Sequence, residues 1–376
     1  MNIFKKNKKH EENKVCTQTS RGNRTNINVG MSPESQFGVY SQIRESIPIV
    51  DAAINKIIRL VGDFKIESEN EFMAEQVDHF LKNVVVIGNS SGIHSFMTCY
   101  LDSMLTFGNA LGEIVLDPKG SEIIALFNVN MKNIRLRRKD ASLETEFWAS
   151  RGFDYEKIKH PELLVFSTLN PAAGEIYGNS LIKGLPFVSE ILLKIYKSIG
   201  LNFDRVGNVR FAINYKPNQN SMDADCAQEI AQNIASQWEQ AMRDCSDGVI
   251  RDFVSVGDVD IRVIGADNNI INTEVPVRQM LEQIVAKMGI PPFLLGLNWS
   301  TTERMSKQQS DILISEIESY RRTITPCINK IVKTWARLSG FDHEFEVVWS
   351  KINLYDEITQ AKTQLMINQA KLIETA

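Results

Sequence analysis

The chain has 376 residues, of which 43% are hydrophobic and 23% are charged, and its formal charge is −4. These values are ordinary for a protein of two or three modules that builds its core without disulfide staples. The apolar runs are shorter than the ~20 residues of a membrane-spanning helix, and the charged N-terminal stretch does not resemble a secretory signal. The cysteines and histidines are scattered along the chain. Their spacing predicts a protein of a reducing compartment, with no disulfide framework, metal site or cofactor.

The N-terminal part of the chain predicts an arm and two helices. Residues 1–40 begin polar and basic, continue rich in Asn, Ser and Gly, and are expected to be disordered. An amphipathic helix is predicted to begin at Pro48 and to end before Gly62. A second helix is predicted over about 92–107.

A small antiparallel sheet is predicted to follow. Two strands flank the turn at Asp117–Gly120, and the alternating segment 131–139 is expected to continue their sheet. That segment carries four cations: Arg135, Arg137, Arg138 and Lys139. Their spacing is typical of the solvated face and end of a strand, and no nucleic-acid recognition motif accompanies them.

The second half of the chain alternates helices with short strands. In chain order we expect a helix over 179–200, a strand over 203–216, a helix over 222–243, strands over 248–253 and 258–265, and a helix over 274–288. The apolar stripe of the first helix is predicted to comprise Leu181, Leu185, Val188, Leu192, Ile195 and Ile199.

The last of these helices has clear start and stop signals. Thr273 is expected to cap its beginning. Gly289 occupies the C-terminal cap position, and Pro291 and Pro292 cannot continue a helix. The helix is therefore predicted to end abruptly and to be followed by a polar loop.

A long helix is predicted from Ser306 to about residue 338. Pro326 removes one backbone hydrogen bond within it and is expected to kink it. A strand over 344–349 and a polar amphipathic helix over 356–374 complete the predicted elements.

One short motif suggests an enzyme. Gly88-Asn89-Ser90-Ser91-Gly92 matches the G-x-S-x-G pattern between an apolar run and a helix, as in a nucleophile elbow with Ser90 as the nucleophile. The alternative is a turn in which Ser90 or Ser91 caps the next helix. The chain contains no phosphate-binding loop, dinucleotide fingerprint or H-E-x-x-H motif.

Taken in order, several stretches resemble the portal protein family of long-tailed, double-stranded DNA phages, which forms the head–tail connector. They are FGNAL (107–111), IYGNSLI (176–182), FDRVGNVRF (203–211), the helix bearing Trp238, MGIPPFLLGL (288–297) and RRTITPCINKIVKTW (321–335). The resemblance covers about residues 40–340. The chain departs from the family in three ways. The segment ELLVFS contains no histidine, the Asn-x-Glu-Gln motif is missing after the prolines, and a long C-terminal tail is missing.

The resemblance implies an α+β, predominantly helical portal fold that assembles as a ring of about twelve subunits. It divides the chain into a disordered N-terminal arm (1–40), a wing (41–178), a first stem helix (179–202), a clip (203–268), a second stem helix (269–293), a channel loop (294–307), a long kinked wing helix (308–341) and a small crown (342–376).

The resemblance also implies a function without enzymatic activity or a cofactor. The ring is expected to be the DNA channel at the capsid vertex of a virion, present in the host cytoplasm during assembly, that serves genome packaging, retention and ejection. Its implied partners are double-stranded DNA passing without sequence specificity, the terminase large subunit, the head–tail connector or adaptor, and the major capsid and scaffold proteins, with no membrane. The residues implied to face the channel are Asn298, Trp299, Ser300, Thr301, Thr302, Glu303, Arg304 and Lys307.

Two other functions stay open from the residues themselves. One is a serine hydrolase built around Ser90. The other is a helical scaffold or adaptor protein without a DNA role. The apolar face of helix 274–288 does not distinguish a monomer from a ring. A monomer would bury this face in its own core, and a ring would share it with a neighbouring subunit.

Overall fold

A computed structural model describes residues 33–139, 144–152, 154–207, 210–215, 232–233, 235–236, 239–240, 259–264, 273–297 and 303–352. The helices are α1 (Pro33–Ser46), α2 (Pro48–Val61), α3 (Glu71–Asn83), α4 (Ile93–Phe107), α5 (Leu185–Gly207), α6 (Glu274–Met288) and α7 (Glu303–Leu338). The strands are β1 (Phe64–Ser68), β2 (Val85–Ile87), β3 (Ser90–Ser91), β4 (Asn109–Leu116), β5 (Ile123–Val129), β6 (Ile134–Arg138), β7 (Thr145–Arg151), β8 (Asp154–Lys157), β9 (Leu164–Thr168), β10 (Arg210–Tyr215), β11 (Val259–Ile264) and β12 (Phe345–Trp349). The mixture of helices and strands, with helices predominating, confirms the predicted class.

The N-terminal helices correct one prediction and confirm another. The disordered arm was expected to reach residue 40, but α1 begins at Pro33, and Phe37 and Tyr40 are only 2% and 5% exposed. Proline is favoured at the first position of a helix, and burial of the two aromatic rings stabilises the turns after it. The next helix is as predicted, since α2 begins at Pro48 and Gly62 comes directly after its last residue.

The central sheet has the strand order β3-β2-β5-β4-β9, and α4 packs against it. The predicted hairpin is confirmed, because β4 and β5 pair antiparallel. The carboxylate of Asp117 orders their turn by accepting hydrogen bonds from the backbone N–H groups of Ser121 and Glu122.

The prediction that segment 131–139 continues this sheet is wrong. Strand β6 instead forms a separate sheet with the order β6-β7-β8. The chain changes direction at a short 3₁₀ turn over Met131–Asn133, where the Asn130 side chain accepts a hydrogen bond from the backbone N–H of Lys132. The two sheets meet at an edge-to-face contact between the rings of Phe147 and Phe166, 5.2 Å apart.

Helix α7 joins distant parts of the chain. The Arg321 guanidinium donates two hydrogen bonds to the carbonyl of Val61, at 2.9 and 2.6 Å, and so satisfies the C-terminal end of α2. The same guanidinium lies 5.1 Å from the ring centroid of Trp349 in β12. The strand predicted over 344–349 is confirmed by β12, which pairs antiparallel with β1. The family resemblance places β12 in the crown and β1 in the wing, so the pairing joins these two predicted parts.

The helix pair α5 and α6 leads into a separate two-stranded ribbon. β10 and β11 pair antiparallel from Arg210 opposite Ile264 to Tyr215 opposite Val259. The strand predicted from residue 203 is therefore wrong in its first part, because α5 continues to Gly207. The six described residues between 232 and 240 are helical, within the helix predicted over 222–243.

Several predicted features lie outside the described residues, among them Trp238, the strand over 248–253 and the helix over 356–374. Across the part of the chain that the structure describes, none of the helices has the length and hydrophobicity needed to cross a membrane.

Candidate functional site

The turn after α6 has the predicted stop signals. Gly289 adopts the left-handed conformation, with φ of +67°, and its N–H donates to the carbonyl of Val285 at 3.1 Å. Pro291 then precedes a 3₁₀ turn over Pro292–Leu295. The chain thus leaves the helix within two residues, as Gly289 and the two prolines predict.

At the other end of α6, Thr273 lies at the predicted N-cap position, but without the side-chain hydrogen bond of a cap. The Thr273 side chain makes no capping hydrogen bond, because its backbone, with φ of −97° and ψ of −3°, is nearly helical rather than extended. Its carbonyl accepts a hydrogen bond from the N–H of Val277 at 3.1 Å. Thr273 therefore precedes the first helical residue and accepts the first hydrogen bond of the helix through its carbonyl, not through its hydroxyl.

The segment predicted as a channel loop over 294–307 overlaps the next helix. Helix α7 begins at Glu303, so Glu303, Arg304 and Lys307 belong to its first turns instead of to a loop. The segment ERMSKQQ consists largely of residues that favour helix, which explains the early start. The other predicted channel residues lie outside the described part of the chain: Asn298, Trp299, Ser300, Thr301 and Thr302.

Pro326 lies inside α7, which continues past it to Leu338. The proline has no N–H to donate within the helix. One residue before it, the Thr325 hydroxyl donates to the carbonyl of Arg321 at 2.7 Å and accepts from the indole N–H of Trp349 at 3.1 Å. The described helix is therefore supported from outside at this point, and a kink at Pro326 stays a prediction.

Two motifs that carried the resemblance contact each other, which sequence reasoning missed. Gly108 and Asn109 of FGNAL lie against Gly178 and Asn179 of IYGNSLI, and we call these four residues the Gly-Asn contact. The Asn109 side chain, fully buried, accepts from the N–H of Gly178 at 2.9 Å and donates to the carbonyl of Phe107 at 3.0 Å. A Cβ atom at Gly108 would lie 2.6 Å from the Gly178 carbonyl oxygen, so both glycines are needed for this approach.

The Gly-Asn contact fixes where α5 begins. Beside it, the Ser180 hydroxyl donates to the carbonyl of Thr106 at 2.6 Å, and the N–H of Leu181 donates to the carbonyl of Leu105 at 3.0 Å. These bonds hold the residues just after the Gly-Asn contact against the end of α4. Consequently the helix predicted over 179–202 begins only at Leu185, and its position is set by α4.

The surface of α5 is unusually apolar. In its predicted stripe Leu185 and Leu192 are buried, while Leu181, Val188, Ile195 and Ile199 are only half-buried. Away from that stripe five large apolar side chains are at least 40% exposed: Phe187, Leu193, Tyr196, Leu201 and Phe203. These five side chains make α5 the candidate for contact with another molecule.

Ser90 does not lie in a strand-to-helix elbow. It pairs with Ile87 in a hairpin between β2 and β3, so the chain turns back on itself before the helix. Gly92 is the residue that precedes α4, and no side chain caps that end, so the prediction of a serine cap is wrong. His94 lies on the surface, 3.3 Å from Asp63.

Two ionisable side chains in the interior have raised pKa values. Burial raises the pKa of the Cys327 thiol to about 12, and burial also raises the pKa of Tyr100 well above its usual value. The Tyr100 hydroxyl donates to Ser167 at 3.0 Å. Within the described ranges no cluster of three or more metal-ligating side chains occurs.

The comparisons with known proteins agree with the fold. No family model matches the chain, and no curated protein matches it. Among solved structures, a chain from the virion of a native gene transfer agent (GTA) particle superposes with a TM-score of 0.62 at 13% identity, over 89% of both chains. A chain from the neck of the empty GTA particle, computed with C6 symmetry, gives 0.62 at 13% identity over 90% of both. One from the native neck, computed with C12 symmetry, gives 0.59 at 15% identity over 87% of this chain and 88% of that chain.

A looser likeness is to an HK97 family phage portal protein from Corynebacterium diphtheriae, with a TM-score of 0.46 and 14% identity over 86% of this chain and 96% of that chain. The fold is thus one found in virion and neck chains of GTA particles. At 13–15% identity this likeness concerns the fold alone.

Proposed function

We propose that this protein is the portal subunit of a phage-like particle. About twelve copies would form a ring at one capsid vertex, and double-stranded DNA would pass through its channel during packaging, retention and ejection. The observation that carries this proposal is the fold shared, over about nine-tenths of the chain, with a chain from a particle neck computed with C12 symmetry.

The helices α5 and α6 would be the stem, and the exposed side chains of α5 would pack against the neighbouring subunits. Full burial of a large apolar side chain contributes about 1.5–3 kcal/mol, so covering five half-exposed ones contributes roughly 5 kcal/mol before the cost of association. This accounts for apolar side chains on a helix that already packs one face inside its own subunit.

The channel loop would be residues 298–302, between the turn after α6 and the start of α7. Apart from the indole of Trp299 its side chains are small and polar, and none is charged. If a cation in each of about twelve subunits contacted one phosphate, the logarithm of the DNA-binding constant would fall with the logarithm of the salt concentration with a slope near −11. Binding through that many contacts would hold the DNA in place instead of letting it pass. An uncharged loop suits sequence-independent passage better, and deleting it should impair packaging while ring formation continues.

The remaining roles follow from the same proposal. The part of the predicted clip (203–268) that follows α5 would face the terminase large subunit during packaging and the head–tail connector afterwards. The wing would contact the capsid and scaffold proteins. ATP hydrolysis would belong to the motor, so the purified ring should show no ATPase activity. The protein would be found in the virion, and in the host cytoplasm during assembly.

A pair of variants tests the assembly. Phe203 on α5 is 65% exposed and Phe72 on α3 is 62% exposed, so Phe203→Ser and Phe72→Ser remove equivalent surface at different places. We expect Phe203→Ser to shift the protein from rings toward smaller species in light scattering after gel filtration, and Phe72→Ser to leave rings unchanged. If both variants gave the same assembly size, the proposal that α5 lies at the subunit interface would be wrong.

A further inference from the structure

A groove of about 580 Å³ lies between the middle of α7 and the end of β12. One wall consists of α7 side chains spaced three or four residues apart: Ile314, Glu318, Arg321, Arg322 and Thr325. The other wall is formed by Trp349 and the three residues after it, up to Ile352. Because helix positions three and four apart are neighbours on the surface, a single face of α7 borders the groove.

Part of this groove is apolar. Ile314, Trp349 and Ile352 are half-buried, so apolar surface on each is still open to solvent. The polar group of the Trp349 side chain, its indole N–H, already donates to the Thr325 hydroxyl at 3.1 Å. The surface that these three side chains leave open is therefore suited to an apolar contact.

The charge in the groove is mostly positive, since its described lining includes three cations and one carboxylate. Arg321 is buried, and burial lowers its pKa against the opposing effect of the Glu318 carboxylate. Arg322 and Lys351 are exposed, and within the described part of the chain neither has an ion-pair partner. A segment that covers the groove therefore needs a carboxylate as well as apolar side chains.

The described part of the chain ends in this groove, at Ile352, and residues 353–376 come next. Their sequence predicts an amphipathic helix over 356–374, with an apolar stripe at helical spacing: Ile358, Ala361, Leu365 and Leu372. Each residue turns a helix by about 100°, so Glu357 flanks this stripe and Asp356 lies on the opposite side of the predicted helix. The segment thus supplies both features that the groove needs.

We propose that residues 353–376 fold back onto their own subunit and fill the groove. The apolar stripe packs against Ile314 and Trp349, and the carboxylate of Glu357 lies beside Arg322 and Lys351. A phosphate backbone would compensate the cations and leave the apolar side chains open, and a purely apolar partner would leave the cations without a counter-charge.

The position of the segment in the chain also favours it over any separate partner. The five residues from Ile352 to Glu357 span at most about 17 Å, and a short link of this kind gives an effective concentration in the millimolar range. An acidic segment of another protein would have to compete with it. The contact lies within one subunit, so it does not depend on the proposed ring or channel.

The test is amide hydrogen exchange in the full-length protein, followed by mass spectrometry of the peptides that cover 353–376. We expect these amides to exchange at least about tenfold more slowly than in a synthetic peptide of the same sequence. Ile358→Ser should speed this exchange about tenfold, because one large apolar side chain loses its burial. Ile367→Ser is the matched control, since Ile367 lies opposite the stripe, and it should leave the exchange unchanged.

A charge reversal tests the ion pair. Arg322→Glu should speed the exchange several-fold, because an attraction to Glu357 becomes a repulsion. Adding Glu357→Lys to this variant should restore slow exchange, whereas adding Asp356→Lys instead should not. If both lysines restored it equally, Glu357 would not be the partner of Arg322 and the proposed orientation of the segment would be wrong.

A photoreactive p-benzoylphenylalanine at position 358 shows which subunit supplies the groove. We expect cross-linked peptides that join the segment to α7 or β12 and a product that migrates as a single chain in a denaturing gel. Cross-linked dimers would overturn the proposal in favour of docking on a neighbouring copy. Exchange of 353–376 as fast as in the synthetic peptide, or equal effects of Ile358→Ser and Ile367→Ser, would also overturn it. Thermal melting verifies that each variant is folded.

Discussion

Replacing Asn109 by alanine tests the Gly-Asn contact that positions α5. The substitution removes the acceptor of the Gly178 N–H and the donor to the Phe107 carbonyl, both at about 3 Å from the fully buried Asn109 side chain, between two half-buried residues. Each buried polar group left unpaired costs about 1–3 kcal/mol, which gives a range of about 2–6 kcal/mol. We expect a loss of about 3 kcal/mol in the free energy of unfolding, because the space left by the amide can admit a water molecule.

Asn179, the asparagine of the second motif, supplies a matched control. It is half-buried, and its amide donates to the carbonyl of Asn170 at 2.6 Å, where water can replace it. Asn179→Ala should therefore cost less than about 1 kcal/mol. Urea unfolding followed by tryptophan fluorescence, at one fixed protein concentration, measures both variants. Equal losses for the two asparagines, or a loss under about 1 kcal/mol for Asn109→Ala, would refute the reasoning.

Three further predictions concern buried groups. Because the pKa of Cys327 is raised to about 12, its buried thiol stays protonated near neutral pH. Iodoacetamide should therefore modify the exposed Cys99 and leave Cys327 unmodified, as measured by peptide mass spectrometry. Comparable labelling of the two cysteines would contradict this. The buried Ser189 hydroxyl has no hydrogen-bond partner among the described residues, so Ser189→Ala should raise the free energy of unfolding by up to about 1 kcal/mol, and a clear decrease would contradict this. Arg321→Ala should lower it by about 2 kcal/mol, since the Val61 carbonyl loses two donors; an unchanged urea midpoint would show that the contact is dispensable.

Element ends marked by local signals were predictable from the sequence. Pro48 begins α2, and Gly289 with the prolines after it ends α6. These residues act through their own backbone geometry, which does not depend on the rest of the fold. The hairpin at Asp117 was readable for the same reason, because its carboxylate bonds to the adjacent backbone.

Features set by distant contacts were not predictable. Phe37 lies in a stretch of polar composition and is ordered by a ring 5.1 Å away, that of Phe107, seventy residues further along the chain. Segment 131–139 alternates as a strand should, but alternation does not state which sheet a strand joins. The start of α5 depends on the end of α4, through Ser180 and Thr106.

The candidate site was predictable in part. The resemblance included both Gly-Asn motifs. Their contact with each other is a tertiary contact, which cannot be inferred from their spacing along the chain. The Gly-Asn dipeptide occurs at 22–23, 88–89, 108–109, 178–179 and 207–208, so its repetition does not single out the two copies that meet. The cations at Arg135 and Arg137 were correctly expected on a solvated face, whereas the rings of Tyr155 and Trp148, on which they stack, come from β8 and β7 and become visible only in the folded sheet.

We propose that copies of this chain form a closed ring around a channel, with α5 at the contact between subunits. Negative-stain electron microscopy of the unmodified protein, over a range of concentrations, tests it most directly. We expect annular particles of about twelve subunits with a central hole wide enough for a DNA duplex. A compact monomer at every concentration, with no annulus in any field, would contradict it.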